Sequence, residues 1–249
     1  MGELVVHTLI TGASSGLGRA AAVRMSSSRA LILHGRNIDR LEETRRMCEH
    51  PEHHVIWPFD LKLVSGLAAS LTPLLAEAGR AVEAFIHCAG MVTVLPMKSI
   101  DHRVAQEIMN VNFFSAVEIV NLLLTKKINN GRLTNIVFIS SIWSQFGARG
   151  HSDYCASKAA LDGLMKALAV ELAPAVRVNS ILPGAIQTTM AGQGFADAAI
   201  AEKLRRDYPM GLGQPGDIAE SIEFVLNARW LTGQQIVIDG GRTANMSLK

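Results

Sequence analysis

The chain has 249 residues, of which 49% are hydrophobic and 5% aromatic, and its formal net charge is +2. This length and composition fit one α/β domain with a large aliphatic core. The Lys and Arg residues are scattered along the chain. Nucleic acid and an anionic membrane are therefore excluded as main partners, because both require a concentrated basic surface.

The three cysteines, Cys48, Cys88 and Cys155, form no Cys-x-x-Cys pair and cannot all be paired. The opening apolar run is too short to span a bilayer and lacks a basic flank. Both observations predict free thiols and a cytoplasmic protein. No metal-ligand spacing relates the cysteines or carboxylates to His7, His53, His54 or His151, so we expect no metal site.

Short apolar runs alternate with helix-like segments along the whole chain. The predicted strands are Leu4–Ile10, Ala30–His34, His54–Phe59, Ala84–His87, Asn135–Ser140, Arg177–Leu182 and Gln235–Ile238. The predicted helices are Gly16–Ser28, Asp39–Cys48, Val64–Ala78, Arg103–Lys127, Asp153–Leu172, Ala191–Asp207 and Asp217–Leu226. The strands are continuously apolar, as is typical of parallel strands covered on both faces. This pattern predicts a single α/β domain over residues 1–249, with a doubly wound, mainly parallel sheet of about seven strands.

A glycine-rich segment follows the first strand directly and opens the first helix. It reads Thr11-Gly12-Ala13-Ser14-Ser15-Gly16-Leu17-Gly18. A turn at this position directs backbone N–H groups and a helix N-terminus toward one point, which suits a pyrophosphate. A tight turn without a ligand is the alternative, since glycines with this spacing also occur by chance.

The next two strand ends concern the adenosine half of a dinucleotide. After the second strand, Gly35 stands where an acid for a ribose 2′-hydroxyl is expected, and Arg36 and Asn37 follow. This favours the 2′-phosphate of NADP(H), with Arg40 able to assist; a plain surface arginine is the alternative. After the third strand, Asp60-Leu61 is a candidate adenine contact, although a lone Asp there more often caps a helix.

Two polar patterns indicate a reacting site. Tyr154 and Lys158 lie four residues apart at the start of a predicted helix, so both face one cleft, where a cation lowers the pKa of a phenol. Ser140-Ser141 ends the fifth strand, at the sheet edge that borders ligands in such folds. An exposed amphipathic helix and turn-forming serines explain each pattern taken alone.

Taken together, these motifs resemble the short-chain dehydrogenase/reductase family, with a Rossmann-type fold, over nearly the whole chain. Further matches are Asn112 in Val111-Asn112-Phe113, the segment Pro183-Gly184-Ala185-Ile186-Gln187-Thr188, and Asp239-Gly240-Gly241. The family spacing selects Ser141 rather than Ser140. The resemblance implies a catalytic tetrad of Asn112, Ser141, Tyr154 and Lys158, and a nicotinamide segment in which Pro183, Gly184, Ile186 and Thr188 contact the cofactor.

The activity implied by the resemblance is NADP(H)-dependent interconversion of a ketone or aldehyde and an alcohol. Tyr154 is the acid/base, Ser141 polarises the substrate oxygen, and Lys158 lowers the Tyr154 pKa and binds the nicotinamide ribose. Two departures stand out. His87-Cys88-Ala89-Gly90 replaces the usual Asn-Asn-Ala-Gly, with Cys88, Ala89 and Gly90 still expected to border the cofactor, and Ser15 replaces a second basic residue.

The expected substrate is a small carbonyl or alcohol compound of hydrophobic character. Candidate pocket residues are Trp143, Gln145, Phe146, Met190 and Phe195, the last two within a variable lid near 189–208. The resemblance also implies a homo-oligomer, a dimer or a homotetramer. The alternative to an enzyme is a non-catalytic dinucleotide-binding regulator or assembly subunit, in which the Tyr/Lys pair is expected to be broken.

Overall fold

A computed structural model describes residues 5–188, 202 and 206–245 of the chain. Its strands are β1 Val5–Thr11, β2 Ala30–Gly35, β3 Val55–Pro58, β4 Arg80–His87, β5 Asn135–Ile139, β6 Arg177–Pro183 and β7 Gln235–Ile238. They form one seven-stranded sheet in the order β3-β2-β1-β4-β5-β6-β7, and every pairing is parallel. The strand order reverses beside β1, so the predicted doubly wound fold is confirmed.

The helices connect successive strands and cover both faces of this sheet. Within the described ranges they are α1 Gly16–Met25, α2 Ile38–Met47, α3 Leu67–Ala76, α4 His102–Met109, α5 Ser115–Leu124, α6 Lys126–Asn129, α7 Ser152–Glu171 and α8 Pro215–Asn227. Most of the predicted helix Ala191–Asp207 lies outside the described residues. The other predicted helices are present with shifted ends, except for the segment after α4.

The predicted single helix Arg103–Lys127 is divided. A π-helical turn, Asn110–Phe114, separates α4 from α5, and α6 begins after a further break at Thr125. Such wide turns are uncommon and are frequent at functional sites. Here the turn directs Asn112 inward, where its side chain bonds to the main chain of Met91. Sequence periodicity did not reveal this division because it arises from a contact with a distant segment.

Strand β4 begins at Arg80, earlier than the predicted start at Ala84. The prediction was too short because Arg80 and Glu83 interrupt the apolar run. In the structure both side chains reach partners at the end of the strand: Arg80 Nη1 donates to the Leu74 carbonyl at 2.9 Å, and Arg29 pairs with Glu83 at 2.7 Å. Their charges are therefore compatible with a strand whose remaining residues are largely buried.

The core has two layers, one on each face of the sheet. On one face α3, α5 and α7 cover side chains such as Phe85 and Phe138. On the other face α1, α2 and α8 cover β-strand residues that include Ile10 and Leu33. Helices α1 and α8 also pack on each other, and Arg24 of α1 reaches Glu223 of α8 at 2.7 Å. The first and last helices of the described chain thus close one layer together.

The helical stretch His102–Leu124 is the one described segment with the length and composition of a membrane span. Those two properties alone are weak evidence, because core helices share them. This stretch contacts α3 and α7, and residues such as Ile108, Ile119 and Leu123 are fully buried in the core. Its apolar character is therefore explained by packing inside the protein.

Candidate active site

The predicted site residues follow the carboxyl ends of successive strands, which meet at one edge of a parallel sheet. The segments that follow β1, β2, β4, β5 and β6 carry, respectively, Gly12–Gly18, Arg36 and Asn37, Cys88–Gly90, Ser140 and Ser141, and Gly184–Thr188. The start of α7 adds Tyr154 and Lys158 beside the β5 end. The fold thus brings the two predicted halves of the site to one side of the sheet.

The glycine-rich loop packs so tightly that two of its positions exclude a side chain. A Cβ on Gly12, whose φ is +71°, would lie 2.9 Å from the backbone of Ala89, and one on Gly18 would lie 2.4 Å from the Gly12 carbonyl oxygen. Helix α1 begins at Gly16, and the side chain of its N-cap residue Ser15 makes no capping hydrogen bond. The loop and the α1 N-terminus therefore form a cradle of backbone N–H groups that fits a dinucleotide phosphate.

The adenosine end of the cradle carries an exposed cation. The Arg36 side chain is 69% exposed, and its guanidinium lies 4.0 Å from the Asp60 carboxylate. Asn37 caps α2, with Oδ1 accepting from the Arg40 N–H at 2.9 Å, and Asp60 Oδ1 accepts from the Lys62 N–H at 3.0 Å. Arg36 is thus available to a ligand, whereas Asn37 and Asp60 each use one oxygen for local backbone structure.

His34 is a buried histidine that supports the glycine-rich loop, and the sequence did not mark it as a site residue. His34 Nδ1 accepts from the Gly12 N–H at 3.4 Å, and its Nε2–H donates to the Phe59 carbonyl at 3.1 Å. Burial lowers the pKa of His34 to about 4, so the ring is neutral at neutral pH. The sequence signal that could have identified His34 is its position as a polar residue near the end of the otherwise apolar strand β2.

The departure at His87 has a structural explanation. His87 Nδ1 lies 2.9 Å from Thr11 Oγ1, which also accepts from the Ala89 N–H at 3.2 Å. The imidazole therefore takes part in a link between the ends of β1 and β4. Burial, together with the Lys158 charge, lowers the pKa of His87 to about 3. Like His34, it is a neutral structural group rather than a proton donor.

Asn112 connects three parts of the site. Its Oδ1 accepts from the Met91 N–H at 2.7 Å, and its Nδ2 donates to the Met91 carbonyl and to Ser157 Oγ, both at 2.9 Å. It therefore ties the π turn to the chain after Gly90 and to α7. A Cβ on Gly90 would lie 3.8 Å from Asn112 Oδ1 and 3.6 Å from Lys158 Nζ, which shows that these polar atoms border the same space.

Lys158 is buried and its ammonium is directed at the sheet. Nζ donates to the Ile139 carbonyl at 2.7 Å and lies 5.7 Å from the centroid of the Tyr154 ring. Burial lowers the pKa of Lys158 to about 8, against the opposing effect of the nearby Asp162 carboxylate. Burial of the Lys158 charge is therefore unfavourable in free energy, and a strongly shifted pKa of this kind is typical of functional sites.

Tyr154 and Ser141, the predicted proton donor and its predicted partner, lie together. Burial raises the pKa of Tyr154 to about 12, although a hydrogen bond with Ser141 acts in the opposite direction. Burial dominates this shift, and the ammonium of Lys158, which is predicted to lower the pKa of Tyr154, donates to the Ile139 carbonyl. Ser141 Oγ also accepts from the Trp143 N–H at 3.2 Å. Ser140, by contrast, donates to the Lys158 carbonyl at 3.3 Å and faces the α7 backbone.

Trp143 is the predicted pocket residue that lies beside Tyr154. The Trp143 ring stands edge-on to the Tyr154 ring at 6.0 Å and packs on His151 at 4.3 Å, a neighbour that the sequence did not indicate. Phe146 is 50% exposed. The amide of Gln145 is directed to Gln235 of β7, at 3.3 Å. The remaining predicted pocket residues, Met190 and Phe195, lie outside the described residues.

The segment after β6 returns to the glycine-rich loop. Gly184 allows a close approach, because a Cβ there would lie 2.8 Å from the ring of Tyr208, whose hydroxyl accepts from the Ala185 N–H at 2.9 Å. Ile186 pairs with Gly213 in an isolated parallel bridge. Thr188 then lies beside Gly16, since a Cβ on Gly16 would be 3.5 Å from Thr188 Cγ2. This placement puts Thr188 next to the phosphate cradle.

The fold and the site together define an α/β protein whose glycine-rich loop and helix N-terminus fit a dinucleotide, with Tyr154, Ser141 and Lys158 close together at the same end of the sheet. The chain matches the short chain dehydrogenase family over residues 6–199 and belongs to it. It is 29% identical to D-erythrulose reductase of Gallus gallus over 240 residues, which cover 94% of each chain. It is 27% identical to L-rhamnose 1-dehydrogenase (NAD(P)+) of Azotobacter vinelandii over 249 residues, which cover 96% of each.

Solved structures agree with this assignment. A mutant 4-hydroxyisoleucine dehydrogenase complexed with NADH and succinate superposes with a TM-score of 0.89 at 26% sequence identity, and the match covers 98% of this chain and all of that chain (100%). The predicted family resemblance is therefore confirmed. The relatives are dehydrogenases and reductases that act on alcohol or carbonyl groups, which places this chain in an oxidoreductase family.

Proposed function

We propose that the protein is an NADP(H)-dependent oxidoreductase that interconverts a ketone or aldehyde and an alcohol. The observation that carries this proposal is the convergence of three groups. Tyr154 is hydrogen-bonded to Ser141, Lys158 Nζ lies 5.7 Å from the tyrosine ring, and a Cβ on Gly90, next to the cofactor cradle, would lie 3.6 Å from Lys158 Nζ. A regulator or scaffold has no need of this arrangement.

The chain's residues have distinct roles in this proposal. When bound, the nicotinamide supplies or accepts a hydride. Tyr154 holds a proton at its Oη, and with a pKa of about 12 it is protonated at neutral pH, ready to donate to a substrate carbonyl oxygen. Ser141 donates a hydrogen bond to the same oxygen and stabilises the charge that develops there. Lys158 places a positive charge beside Tyr154, and Asn112 fixes the loop and helix that carry both.

The proposed preference for NADP(H) rests on the end of β2. Gly35 leaves no carboxylate to meet a ribose 2′-hydroxyl, and Arg36 presents an exposed guanidinium. Arg19, the arginine nearest to the loop, is already committed: it donates to the Ser14 carbonyl at 2.8 Å and to both carboxylate oxygens of Glu43. Arg36 is therefore proposed as the main cation that binds the 2′-phosphate, and Arg40, which is also exposed, is able to assist it.

Titrations with NADPH and with NADH test this proposal. We expect tighter binding of NADPH, and Arg36→Ala should weaken NADPH binding selectively. Arg46→Ala, which removes an exposed arginine at the far end of α2, is the matched control and should leave both affinities unchanged. Equal affinity for the two cofactors would contradict the preference but not the reaction. If neither NADPH nor NADH binds, or if neither is oxidised in the presence of any carbonyl compound, the proposal that the protein is an oxidoreductase is contradicted.

The substrate is proposed to be a small molecule with a hydrophobic part. Trp143 supports this, since its ring lies next to Tyr154, and Phe146, a few residues further along the same loop, exposes further aromatic surface. The relatives whose names give a substrate act on hydroxylated compounds, D-erythrulose and L-rhamnose among them. A screen that pairs polyhydroxy ketones with aromatic ketones of similar size separates the two classes, and faster turnover of the polyhydroxy set would overturn the hydrophobic assignment.

The remaining expectations also stand as proposals. We infer one domain over the whole chain, a cytoplasmic location, and assembly as a dimer or homotetramer. Val117, Leu124 and Val170 are exposed apolar side chains on α5 and α7, and they support burial between subunits. Light scattering of the purified protein measures the assembly directly.

A further inference from the structure

A second cluster of chemically active side chains lies at the opposite edge of the sheet from the active site. The connection between α2 and β3 reads His50-Pro51-Glu52-His53. Glu52 Oε1 lies 3.8 Å from His50 Nδ1 and 3.6 Å from His53 Nε2, and the three ligand atoms all lie within 4.8 Å of one another. The side chains are between 59% and 64% exposed, so an ion in solution reaches them freely.

These distances are close to those of a tetrahedral zinc site. Zinc binds imidazole nitrogen and carboxylate oxygen at about 2.0–2.2 Å, which places neighbouring ligand atoms about 3.3–3.6 Å apart. The separation between Glu52 and His50 exceeds that range by about 0.2 Å, and that between Glu52 and His53 equals its upper limit. The ligand nitrogens of His50 and His53 lie within 4.8 Å of each other. Small rotations of exposed side chains are sufficient to close them. Two imidazoles and one carboxylate are also a donor set that zinc prefers, whereas Mg²⁺ and Ca²⁺ favour all-oxygen sites.

The backbone of the connection is fixed before any ion binds. His50 adopts a left-handed conformation, with φ +52° and ψ +56°, which is uncommon for a residue other than glycine. The His53 N–H donates to the His50 carbonyl at 2.9 Å and closes the turn around Pro51. The ligands on either side of the turn are thereby brought together at little further cost in conformational entropy.

The next residue anchors this turn to the core. His54 is buried, with Nε2 donating to the Glu49 carbonyl at 2.8 Å and Nδ1 accepting from the Leu31 N–H at 3.2 Å. The Glu49 N–H in turn donates to Ser26 Oγ at 2.9 Å. The exposed ligands therefore stand on a segment that is bonded at both ends to β2 and to the end of α1.

We propose that His50, Glu52 and His53 form a binding site for one Zn²⁺ ion, with water in the fourth position. Because the turn precedes β3, the site lies at the amino ends of the parallel strands, away from Tyr154 and the cofactor cradle. Its role is structural: the ion links the end of α2 to the start of β3 and stabilises the folded chain. Sequence spacing did not predict it, because the convergence depends on the left-handed backbone of His50.

Calorimetric titration of the untagged, metal-free protein with ZnCl₂ tests the site. We expect one ion per chain and a rise in the thermal unfolding temperature at saturation. His53→Ala should weaken binding by about tenfold or more, since even changes outside the ligand shell commonly cost that much. MgCl₂ should neither bind nor raise the unfolding temperature.

Three variants make the result specific to these ligands. His50→Gly removes the imidazole but tolerates the left-handed conformation, and it should behave like His53→Ala. His102→Ala, at an exposed histidine of α4, and Cys155→Ser, at a half-buried thiol, should bind Zn²⁺ as the parent does. The site is refuted if His50→Gly and His53→Ala retain the parent affinity, or if the parent binds no zinc. Unchanged NADPH binding in each variant verifies that the protein remains folded.

Discussion

The two sides of the active-site edge bury polar groups in different ways. Behind the glycine-rich loop, His34 and His87 are neutral rings that bond to the backbone or to a side chain of the loop. Beside the substrate space, Lys158 is buried as a cation on a carbonyl, and both carboxylate oxygens of Asp162 are buried without a hydrogen-bond partner among the described residues. One side is built from neutral rings, of which His87 keeps a buried Nε2 without a hydrogen-bond partner among the described residues, and the other side retains charges that folding does not favour.

This difference separates residues that hold the cofactor loop in shape from residues that are proposed to take part in the reaction. A neutral imidazole with partners costs little to bury and fixes the shape of the cofactor cradle. A buried ammonium and a phenol with a raised pKa are unfavourable for folding, yet in the proposed reaction they provide the charge and the proton that carbonyl reduction requires. Substitutions on the supporting side should therefore change stability and cofactor affinity, whereas those on the chemical side should change turnover.

The largest expected effect is on turnover. Tyr154→Phe removes the proton donor while retaining the ring against Trp143. We expect the rate of carbonyl reduction to fall by about 10²–10⁴-fold, the usual contribution of a general acid, with NADPH affinity nearly unchanged. Steady-state kinetics and a binding titration measure the two quantities.

The second tyrosine of the chain provides a matched control. Tyr208→Phe removes a hydroxyl that accepts from the Ala185 N–H, outside the proposed reacting pair of Tyr154 and Ser141. It should lower stability and affect the rate much less. Similar rate losses in both variants would contradict the role given to Tyr154.

The next effect concerns acid stability on the supporting side. The folded-state pKa values of His34 and His87, about 4 and about 3, lie below the ordinary value of 6.5. Unfolding therefore takes up protons in this range. The stabilisation is complete above about pH 6.5 and is lost as the pH falls toward 4, with a slope of up to about 1.4 kcal/mol per pH unit for each histidine.

Urea unfolding at pH 7.5, 6 and 5 measures this slope. His34→Gln offers an amide in place of the imidazole and should reduce the pH dependence, whereas His102→Gln, at an exposed position, should retain it in full. His7 and His54, whose pKa values burial also lowers, contribute in the same direction. A free energy of unfolding that does not change between pH 7.5 and 5 would show that these rings are not buried as neutral groups.

A smaller effect on stability tests the cradle itself. Gly12→Ala places a methyl group 2.9 Å from the Ala89 backbone at φ +71°. Gly79→Ala has a comparable φ of +59°, but nothing lies within 4 Å of its Cβ. The left-handed conformation alone costs about 1–2 kcal/mol, so both variants should lose at least that amount of stability, and Gly12→Ala should lose more because its methyl group meets the Ala89 backbone. Only Gly12→Ala should also lose NADPH affinity. An equal loss of NADPH affinity in both variants would show that backbone strain, rather than the close approach to Ala89, weakens cofactor binding.

The sheet and the residues that end its strands could be predicted because both depend on local sequence. Continuous apolar runs predicted all seven strands, and β7 was predicted with its observed ends. Glycine spacing and strand ends located the cradle, Arg36 and the Ser140-Ser141 pair, whereas the choice of Ser141 came from the family resemblance and Tyr154 from its spacing to Lys158. These features follow from the fact that parallel strands present their carboxyl ends on one edge.

The features that could not be predicted depend on contacts between distant residues. The π turn follows from Asn112 bonding to Met91, and the support of the loop follows from His34 meeting Gly12. The pKa of Tyr154 depends on how deeply the fold buries it, which spacing along a helix does not reveal. The approach of His50 to Glu52 depends on one backbone angle.

The packing of α1 on α8 has a consequence for synthesis of the protein. Arg24 and its partner Glu223 are separated by 199 residues, so a ribosome that adds about 5–20 residues per second exposes α1 for roughly 10–40 s before its partner emerges. During that interval Ala21, Ala22 and Met25 lack part of the apolar cover they have in the finished core. The nascent chain must therefore remain free of aggregation through most of its translation, and a chain that terminates before Pro215 retains this uncovered surface permanently.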